Sequence, residues 1–139
     1  MGRTFTSIVE LQGAMQQCCT VAIQNACEIL LAELQRLIRS EFYDQYTPKE
    51  YIRTDQFFNS AVKEMVTDLC GRIFMDAGRM NYLEPHWTGE VQLEAANMSI
   101  HGGIKSGDGK YWDSFIDYCN KNALNILKQE LRKQGLNVR

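Results

Sequence analysis

The residues with the strongest potential for chemistry form a glycine-rich segment, 102–110, which reads Gly-Gly-Ile-Lys-Ser-Gly-Asp-Gly-Lys. Such a loop would suit a phosphate, but a P-loop requires a glycine, four further residues and then Gly-Lys-Ser/Thr. Here Ile104 occupies the position of the first glycine, and Tyr111 follows Gly109-Lys110. The pattern fails at both ends, so we interpret the segment as a connecting loop.

Metal or nucleophile chemistry would draw on two histidines and five cysteines. A structural zinc site needs four ligands, normally in close pairs, whereas the adjacent Cys18 and Cys19 lie about 100° apart on a helix. Cys27 and Cys119 fall on apolar helical faces, where buried, unreactive thiols are the usual case. The odd cysteine count, the lack of a Cys-x-x-Cys pair and a start unlike a signal peptide favour reduced intracellular thiols. We expect no enzymatic activity, no metal and no cofactor.

Size and charge restrict the function further. The chain has 139 residues and a mass of 16.0 kDa, which predicts one domain spanning 1–139. A chain of this length buries roughly 70% of its unfolded surface without a metal or disulfide. The net charge of −2 argues against a dedicated nucleic-acid binder. No apolar run approaches the roughly 18 residues that a membrane span needs, so no membrane partner is expected.

The elements that must position these residues begin with a long amphipathic segment, 4–42. Apolar or small residues recur there in steps of three or four: Ile8, Leu11, Met15, Cys19, Ala22, Ala26, Leu30, Leu34 and Leu37. Thr4, Thr6 or Ser7 would cap the start. A helix of about 40 residues is too long for a small globule, so we expect either a break at Gly13 or a projecting helix.

The rest of the chain mixes short elements with one clear helix. We predict an extended loop over 43–54, a helix or strand within 55–67, a strand over 69–75, a helix over 90–99 and a loop over 101–109. The apolar stripe from Trp112 to Leu131 predicts a final helix with Gly135 at its C-cap. The fold class is therefore α+β, with a long N-terminal helix, a small antiparallel β-sheet in the middle and a C-terminal helix.

Six tyrosines and tryptophans flank the predicted loops: Tyr43, Tyr46, Tyr51, Trp87, Tyr111 and Trp112. Tyr and Trp are typical anchors of protein interfaces. They also cover the edges of a core while their polar ends reach water. Composition supports both interpretations equally.

Two blocks of sequence resemble a known family. The first, 41–60, reads Glu-Phe-Tyr-Asp-Gln-Tyr-Thr-Pro-Lys-Glu-Tyr-Ile-Arg-Thr-Asp-Gln-Phe-Phe-Asn-Ser. The second is Ile-His-Gly-Gly at 100–103, followed by Trp-Asp-x-Phe-Ile at 112–116. In this order and spacing they resemble the tail-completion, or neck, proteins of long-tailed bacteriophages, over roughly residues 41–118.

The resemblance implies a structural virion protein with the fold described above, no enzyme activity and no cofactor. It implies a ring of copies of the chain, sixfold in expectation, made in the host bacterial cytoplasm and placed in the neck of the particle. One side of the ring would contact a head-closure, adaptor or portal protein, and the other a tail terminator or tail tube protein. Genomic DNA would pass through the lumen without specific binding, which suits a chain that is not basic.

The matched positions supply candidate interface residues: Tyr46, Tyr51, Arg53, Asn59, Ser60, His101, Gly102, Gly103 and Trp112. The planar guanidinium of Arg53 suits a carboxylate, either on a neighbouring subunit or within the same chain. His101-Gly102-Gly103 would form a loop that orders on docking, and Trp112 would anchor that loop to the last helix.

Two alternatives remain open. A tail terminator of the same particle is also a small α+β ring protein. An intracellular adaptor would instead bind one partner through its long amphipathic helix, as a monomer or dimer. Stoichiometry separates the adaptor from the ring proteins, and position in a virion separates the two ring proteins.

Overall fold

A computed structural model of the chain describes residues 2–47, 54–80, 88–98, 100–101, 104–105 and 110–139, with only the backbone of 101, 104 and 105. These residues form the predicted α+β arrangement of a long N-terminal helix, a small antiparallel sheet and a C-terminal helix. Within the described ranges, every helix is too short or too polar to cross a membrane.

Helix α1 covers Ile8–Leu37 without interruption. Ser7 caps it, since its hydroxyl accepts a hydrogen bond from the backbone N–H of Glu10 at 3.1 Å. The predicted break at Gly13 is wrong, because one glycine costs only about 1 kcal/mol among good helix formers and helix extension is cooperative. The alternative of a projecting helix is confirmed below.

A π-helical turn, Ile38–Phe42, and a 3-10 turn, Tyr43–Gln45, continue directly from α1. The extended loop predicted over 43–54 is therefore wrong for its first three residues. Tyr43 continues the helical path because its ring is buried and its hydroxyl accepts a hydrogen bond from the N–H of Phe58 at 3.0 Å.

The mixed pattern over 55–67 contains both elements that it permitted. Helix α2 covers Gln56–Asn59, and strand β1 follows at Ala61–Thr67. Strand β2, Cys70–Met75, pairs with β1 in antiparallel fashion, from Ala61 opposite Met75 to Thr67 opposite Cys70. The register shifts between Met65 and Thr67, so Val66 is an extra, bulged residue beside the hairpin turn.

A 3-10 turn, Ala77–Arg79, leads towards helix α3, Gly89–Asn97, which confirms the predicted short helix. A Cβ atom at Gly89 would lie 2.2 Å from the Ala77 carbonyl oxygen, so only glycine allows α3 to approach the turn this closely. Strands β3, Ile100–His101, and β4, Ile104–Lys105, then pair through their backbones. The loop predicted over 101–109 is thus wrong at positions 101, 104 and 105, which lie in these strands.

Helix α4 covers Tyr111–Lys133 and ends as predicted. Gly135 has φ +89°, and its N–H donates to Arg132 O at 2.9 Å while that of Leu136 donates to Leu131 O at 3.1 Å. These two bonds form a Schellman motif, which stops the helix where the chain needs a left-handed residue.

The core forms where α4 and the hairpin pack on opposite sides of α1. Helix α4 runs antiparallel to α1, since its start contacts residue 41 and its end contacts residue 18. The buried cluster comes from α1, both turns after it, α2, β1, the residue after the 3-10 turn Ala77–Arg79, α3 and α4. Its members are Leu34, Leu37, Ile38, Phe42, Tyr43, Phe57, Ala61, Met80, Ala96, Tyr111 and Phe115.

Candidate interaction surface

The two blocks that carry the family resemblance meet in one aromatic cluster. From the first block, the rings of Phe42 and Phe57 have centroids 4.6 Å apart. Phe57 meets Tyr111, the residue just before the 112–116 part of the second block, edge to face at 5.2 Å. Trp112 in that part lies 6.5 Å from Tyr111 and 5.6 Å from Phe115. Tilted and edge-to-face pairs of this kind add about 0.5–1.5 kcal/mol each beyond area burial.

A hydrogen bond also joins the blocks. The Ser114 hydroxyl donates to a carboxylate oxygen of Glu41 at 2.6 Å, with both side chains half-buried. A charge-assisted bond of this length is stronger than a neutral one. The two bonded residues are 73 positions apart, so distant segments form one packing unit at the end of α1 where α4 begins.

Four of the predicted interface residues have described side chains. Asn59 is exposed at the end of α2, whereas Ser60 is fully buried and its hydroxyl donates to the Phe57 carbonyl at 2.6 Å. Tyr46 is half-buried. Trp112 is half-buried against the core, and its backbone N–H donates to the Asn97 side-chain oxygen at 3.3 Å. The side chain of Ser60 is thus part of the interior of this chain.

The other predicted interface positions lie outside the described side chains: Tyr51, Arg53, His101, Gly102 and Gly103. Among the loop-flanking aromatics, Tyr43 and Tyr111 are buried in the core. Tyr51 and Trp87 also fall outside the described residues. For Tyr43 and Tyr111 the core interpretation is the right one.

No group of three His, Cys, Asp or Glu side chains among the described residues is placed to hold a metal ion. All five cysteines are unpaired, and burial raises the pKa of both Cys27 and Cys119. A raised pKa keeps these thiols protonated near neutral pH, and a protonated thiol is a poor nucleophile.

A polar groove of about 370 Å³ lies between α1 and β1. The ion pair of Lys63 with Glu28 borders it, and Gln24, Asn25 and Cys27 contribute to its walls. This ion pair joins two elements that already pack together. The groove therefore lies along a contact between two elements of the same fold.

The most unusual surface is the N-terminal part of α1, residues 8–17, here called the α1 tip. Its apolar side chains are exposed to solvent: Ile8 is 75% exposed, Leu11 39% and Met15 47%. They belong to the same stripe as the buried Ala22 and Ala26 further along the helix. An apolar row that continues from the core into solvent is a typical interaction surface.

Helix geometry shows which way this row faces. At 100° per residue, the side chains of Cys18 and Asn25, which contact α4, lie on one side of the Ala22–Ala26 line. Cys27, which lies against β2 at Gly71, is on the other side. The row of Ile8, Leu11 and Met15 therefore lies on the face of α1 between the α4 side and the hairpin side. It extends beyond the point where α4 and the hairpin end.

Helix α4 and the hairpin end at the same level of α1. Helix α4 ends where the Cys18 thiol meets the Gln134 carbonyl at 3.8 Å. The hairpin turn ends where the Gln16 amide donates to the Asp68 carboxylate at 3.4 Å. Two exposed apolar residues lie at this turn: Val66 just before it and Leu69 within it. We call the resulting surface the tip patch: Ile8, Leu11, Met15, Val66 and Leu69.

The two ends of the molecule differ in charge. The end opposite the tip, formed by the described residues within 39–60, 76–98 and 110–121 and here called the acidic end, carries eight acids against four bases. The acids are Glu41, Asp44, Asp55, Asp76, Glu90, Glu94, Asp113 and Asp117. Counted in the same way, the described segments at the tip end, 2–18, 64–72 and 131–139, carry five bases against three acids. The bases are Arg3, Arg72, Arg132, Lys133 and Arg139, and the acids are Glu10, Glu64 and Asp68.

Sequence reasoning found the residues of the stripe and allowed for a projecting helix, but it did not identify which end of α1 would be exposed. The signal was present in the lengths: the apolar stripe of α1 covers 30 residues, whereas α4 has 23. One partner helix of that length leaves about two turns of α1 uncovered. The apolar residues beside the hairpin turn, Val66 and Leu69, were also missed.

Comparison with known proteins identifies no relative of the chain. No protein-family profile matches the chain, and no curated protein or solved structure is significantly similar to it.

Proposed function

We propose that the chain is a structural subunit of the head–tail connector of a tailed bacteriophage. It acts as a tail-completion-type protein that forms a ring between the head and the tail and surrounds the DNA channel. The observation that carries this proposal is the packing of the first motif block against the start of α4, which holds residues 112–116 of the second block. The Phe57–Tyr111 ring contact and the Glu41–Ser114 hydrogen bond make this contact. Motifs that meet in one core are what a shared fold requires, which supports the resemblance.

The surface supports an assembly role over catalysis. The described residues present an uncovered apolar tip patch at one end and an acidic surface at the other, whereas the buried thiols are kept protonated. A ring subunit needs two different surfaces that meet head to tail around an axis. Two unlike ends on one molecule satisfy that requirement.

The charge suits a DNA passage. The net charge of −2 leaves no excess of cations to hold phosphates in the lumen. In the proposed particle, six copies form the ring, with a head-closure, adaptor or portal protein above it and a tail terminator or tube protein below. Candidate contacts to these partners include the exposed Asn59 and the half-buried Tyr46.

Two other functions are consistent with parts of the same surface. A tail terminator would use the same ring architecture one position lower in the particle. An adaptor that binds one partner would use the exposed apolar row on α1 as its binding helix. The adaptor needs one copy and one partner, whereas both ring proteins need several copies.

The deciding experiment deletes the gene from the phage genome and examines the particles by electron microscopy. Loss of a connector subunit should leave filled heads and finished tails that do not join. Complementation with the natural chain should restore joined particles that contain it at the neck. Matched complementation with Asn59→Ala, an exposed position at the end of α2, measures whether this candidate contact matters.

Other outcomes would contradict the connector. Tails of irregular length would indicate a terminator, because a protein that caps the tube sets where polymerisation ends. Normal, infectious particles that lack the chain would overturn both virion functions and favour the adaptor.

A further inference from the structure

We infer that the tip patch is the surface through which one copy of the chain binds a second copy. The inference rests on the proposed function for the closure of copies into a ring, and it names the surface that makes the contact. Its first support is continuity: Ile8, Leu11 and Met15 extend the stripe that packs between α4 and the hairpin in the same chain. A neighbour that binds there prolongs an existing hydrophobic interface.

The second support is charge. The described segments at the tip end carry five bases against three acids, while the acidic end carries eight acids against four bases. Opposite charges on opposite ends favour head-to-tail contact of identical molecules and disfavour tip-to-tip contact. A head-to-tail interface is heterologous, and repeated rotation by the same angle closes it into a ring.

The size of the patch sets the strength of the contact. The α1 tip has ten residues, so it is about 15 Å long and about 10–12 Å across. Its whole side surface is therefore about 500 Å², below the roughly 800 Å² per partner of a standard stable interface. Even with the hairpin turn beside it, one contact is weak. We therefore expect association that depends strongly on concentration and gains stability when the ring closes.

The test measures the mass of the full chain by light scattering and sedimentation across a wide range of concentrations. The natural chain should pass from monomer to a closed oligomer. The double variant Ile8→Ser/Leu11→Ser should shift the midpoint of association about tenfold or more to higher concentration, because it removes two apolar side chains from the contact.

A matched control is Leu124→Ser, which removes an apolar side chain that is 65% exposed on α4, outside the tip patch. This variant should associate like the natural chain. Circular dichroism and thermal unfolding of the dilute monomers should show that all variants are folded, since each altered side chain is solvent-exposed. High salt should weaken association, because the proposed contact pairs opposite charges.

Two results would overturn the inference. One is a natural chain that remains monomeric at every concentration. The other is an oligomer whose midpoint is the same for the tip variant and the natural chain. The second result would leave the connector proposal intact with a different interface. Conversely, tip-dependent association of a chain that is absent from virions would retain this inference and overturn the connector.

Discussion

The two halves of α1 carry one apolar stripe but have different surroundings. Leu34 in the second half is fully buried, whereas Leu11 in the tip is 39% exposed. Both are leucines at stripe positions of the same helix, so the difference does not originate in α1. It originates in α4 and the hairpin, which both end near residues 16–18. An apolar stripe thus identifies a helix face that can be buried. Whether the same chain buries it depends on the lengths of the elements that pack against the helix.

The largest effect that tests this comparison is Leu34→Ala against Leu11→Ala. Leu34 is 0% exposed, so its truncation leaves a cavity and should lower the free energy of unfolding by about 2–5 kcal/mol. Leu11→Ala, at dilution where the chain is monomeric, should cost about 0.5 kcal/mol. Urea unfolding monitored by circular dichroism measures both. Equal costs would mean that the tip is covered within the monomer.

The next effect tests how closely the hairpin covers α1. A Cβ atom at Gly71 would lie 2.5 Å from the Cys27 sulfur and 3.1 Å from a methyl group of Ile23. Gly71→Ala should therefore lower the free energy of unfolding by about 1–3 kcal/mol through overpacking.

The control for this clash is the double variant Cys27→Ala/Gly71→Ala. Removing the sulfur makes room for the new methyl group, so the double variant should lose less stability than the sum of the single variants. Strictly additive losses would show that β2 does not contact α1 at this point.

Much of the fold was predictable because its signals are local. The stripe of α1, the Ser7 cap and the Gly135 C-cap each follow from residues within a few positions of one another. The strand at 70–75 followed from its alternation. The α+β class needed only these elements in order.

The features that the sequence did not predict depend on contacts between distant residues. The helical path of Tyr43 depends on a hydrogen bond from the Phe58 N–H and on burial against Phe57, and the sequence pattern near residue 43 contains neither. The buried Ser60 and Glu130 likewise depend on what surrounds them in three dimensions. The surface at the tip required knowing where two other elements end. Long-range packing therefore decides what short-range patterns leave undetermined.

A smaller effect concerns the tip itself. A Cβ atom at Gly13 would meet nothing within 4 Å, and the residue is in the helix interior. Gly13→Ala should therefore raise the free energy of unfolding by up to about 1 kcal/mol. Position 13 points away from the row of Ile8 and Leu11, so association should not change.

Substitution of glycine by alanine at Gly135 should change the free energy of unfolding in the opposite direction. Gly135 has φ +89°, which an alanine adopts only with strain, so Gly135→Ala should cost about 1 kcal/mol. Chemical denaturation of the two variants in parallel measures both effects. A destabilising Gly13→Ala would indicate that the helix is not continuous through the tip.

The smallest effect compares two carboxylates, one on the covered part of the α1–α4 interface and one on the tip. Glu130 is buried and accepts hydrogen bonds from Lys133 at 2.6 Å and from Asn25 at 3.3 Å. The bond from Lys133 is the main cause that lowers the pKa of Glu130 from its ordinary value of 4.5. Glu10 on the exposed tip also has a lowered pKa, mainly through the Thr6 backbone N–H, which donates to it at 2.8 Å.

A carboxyl with a lower pKa in the folded chain binds fewer protons there than in the unfolded chain. The stability it contributes is therefore present above about pH 4.5, its ordinary value, and is lost as the pH falls through the folded value. Glu130→Gln should flatten the loss of stability below that pH in unfolding curves measured from neutral to acid. Glu10→Gln should flatten it less, because the tip frays before the chain unfolds globally. Equal flattening by both variants would mean that the tip unfolds together with the core.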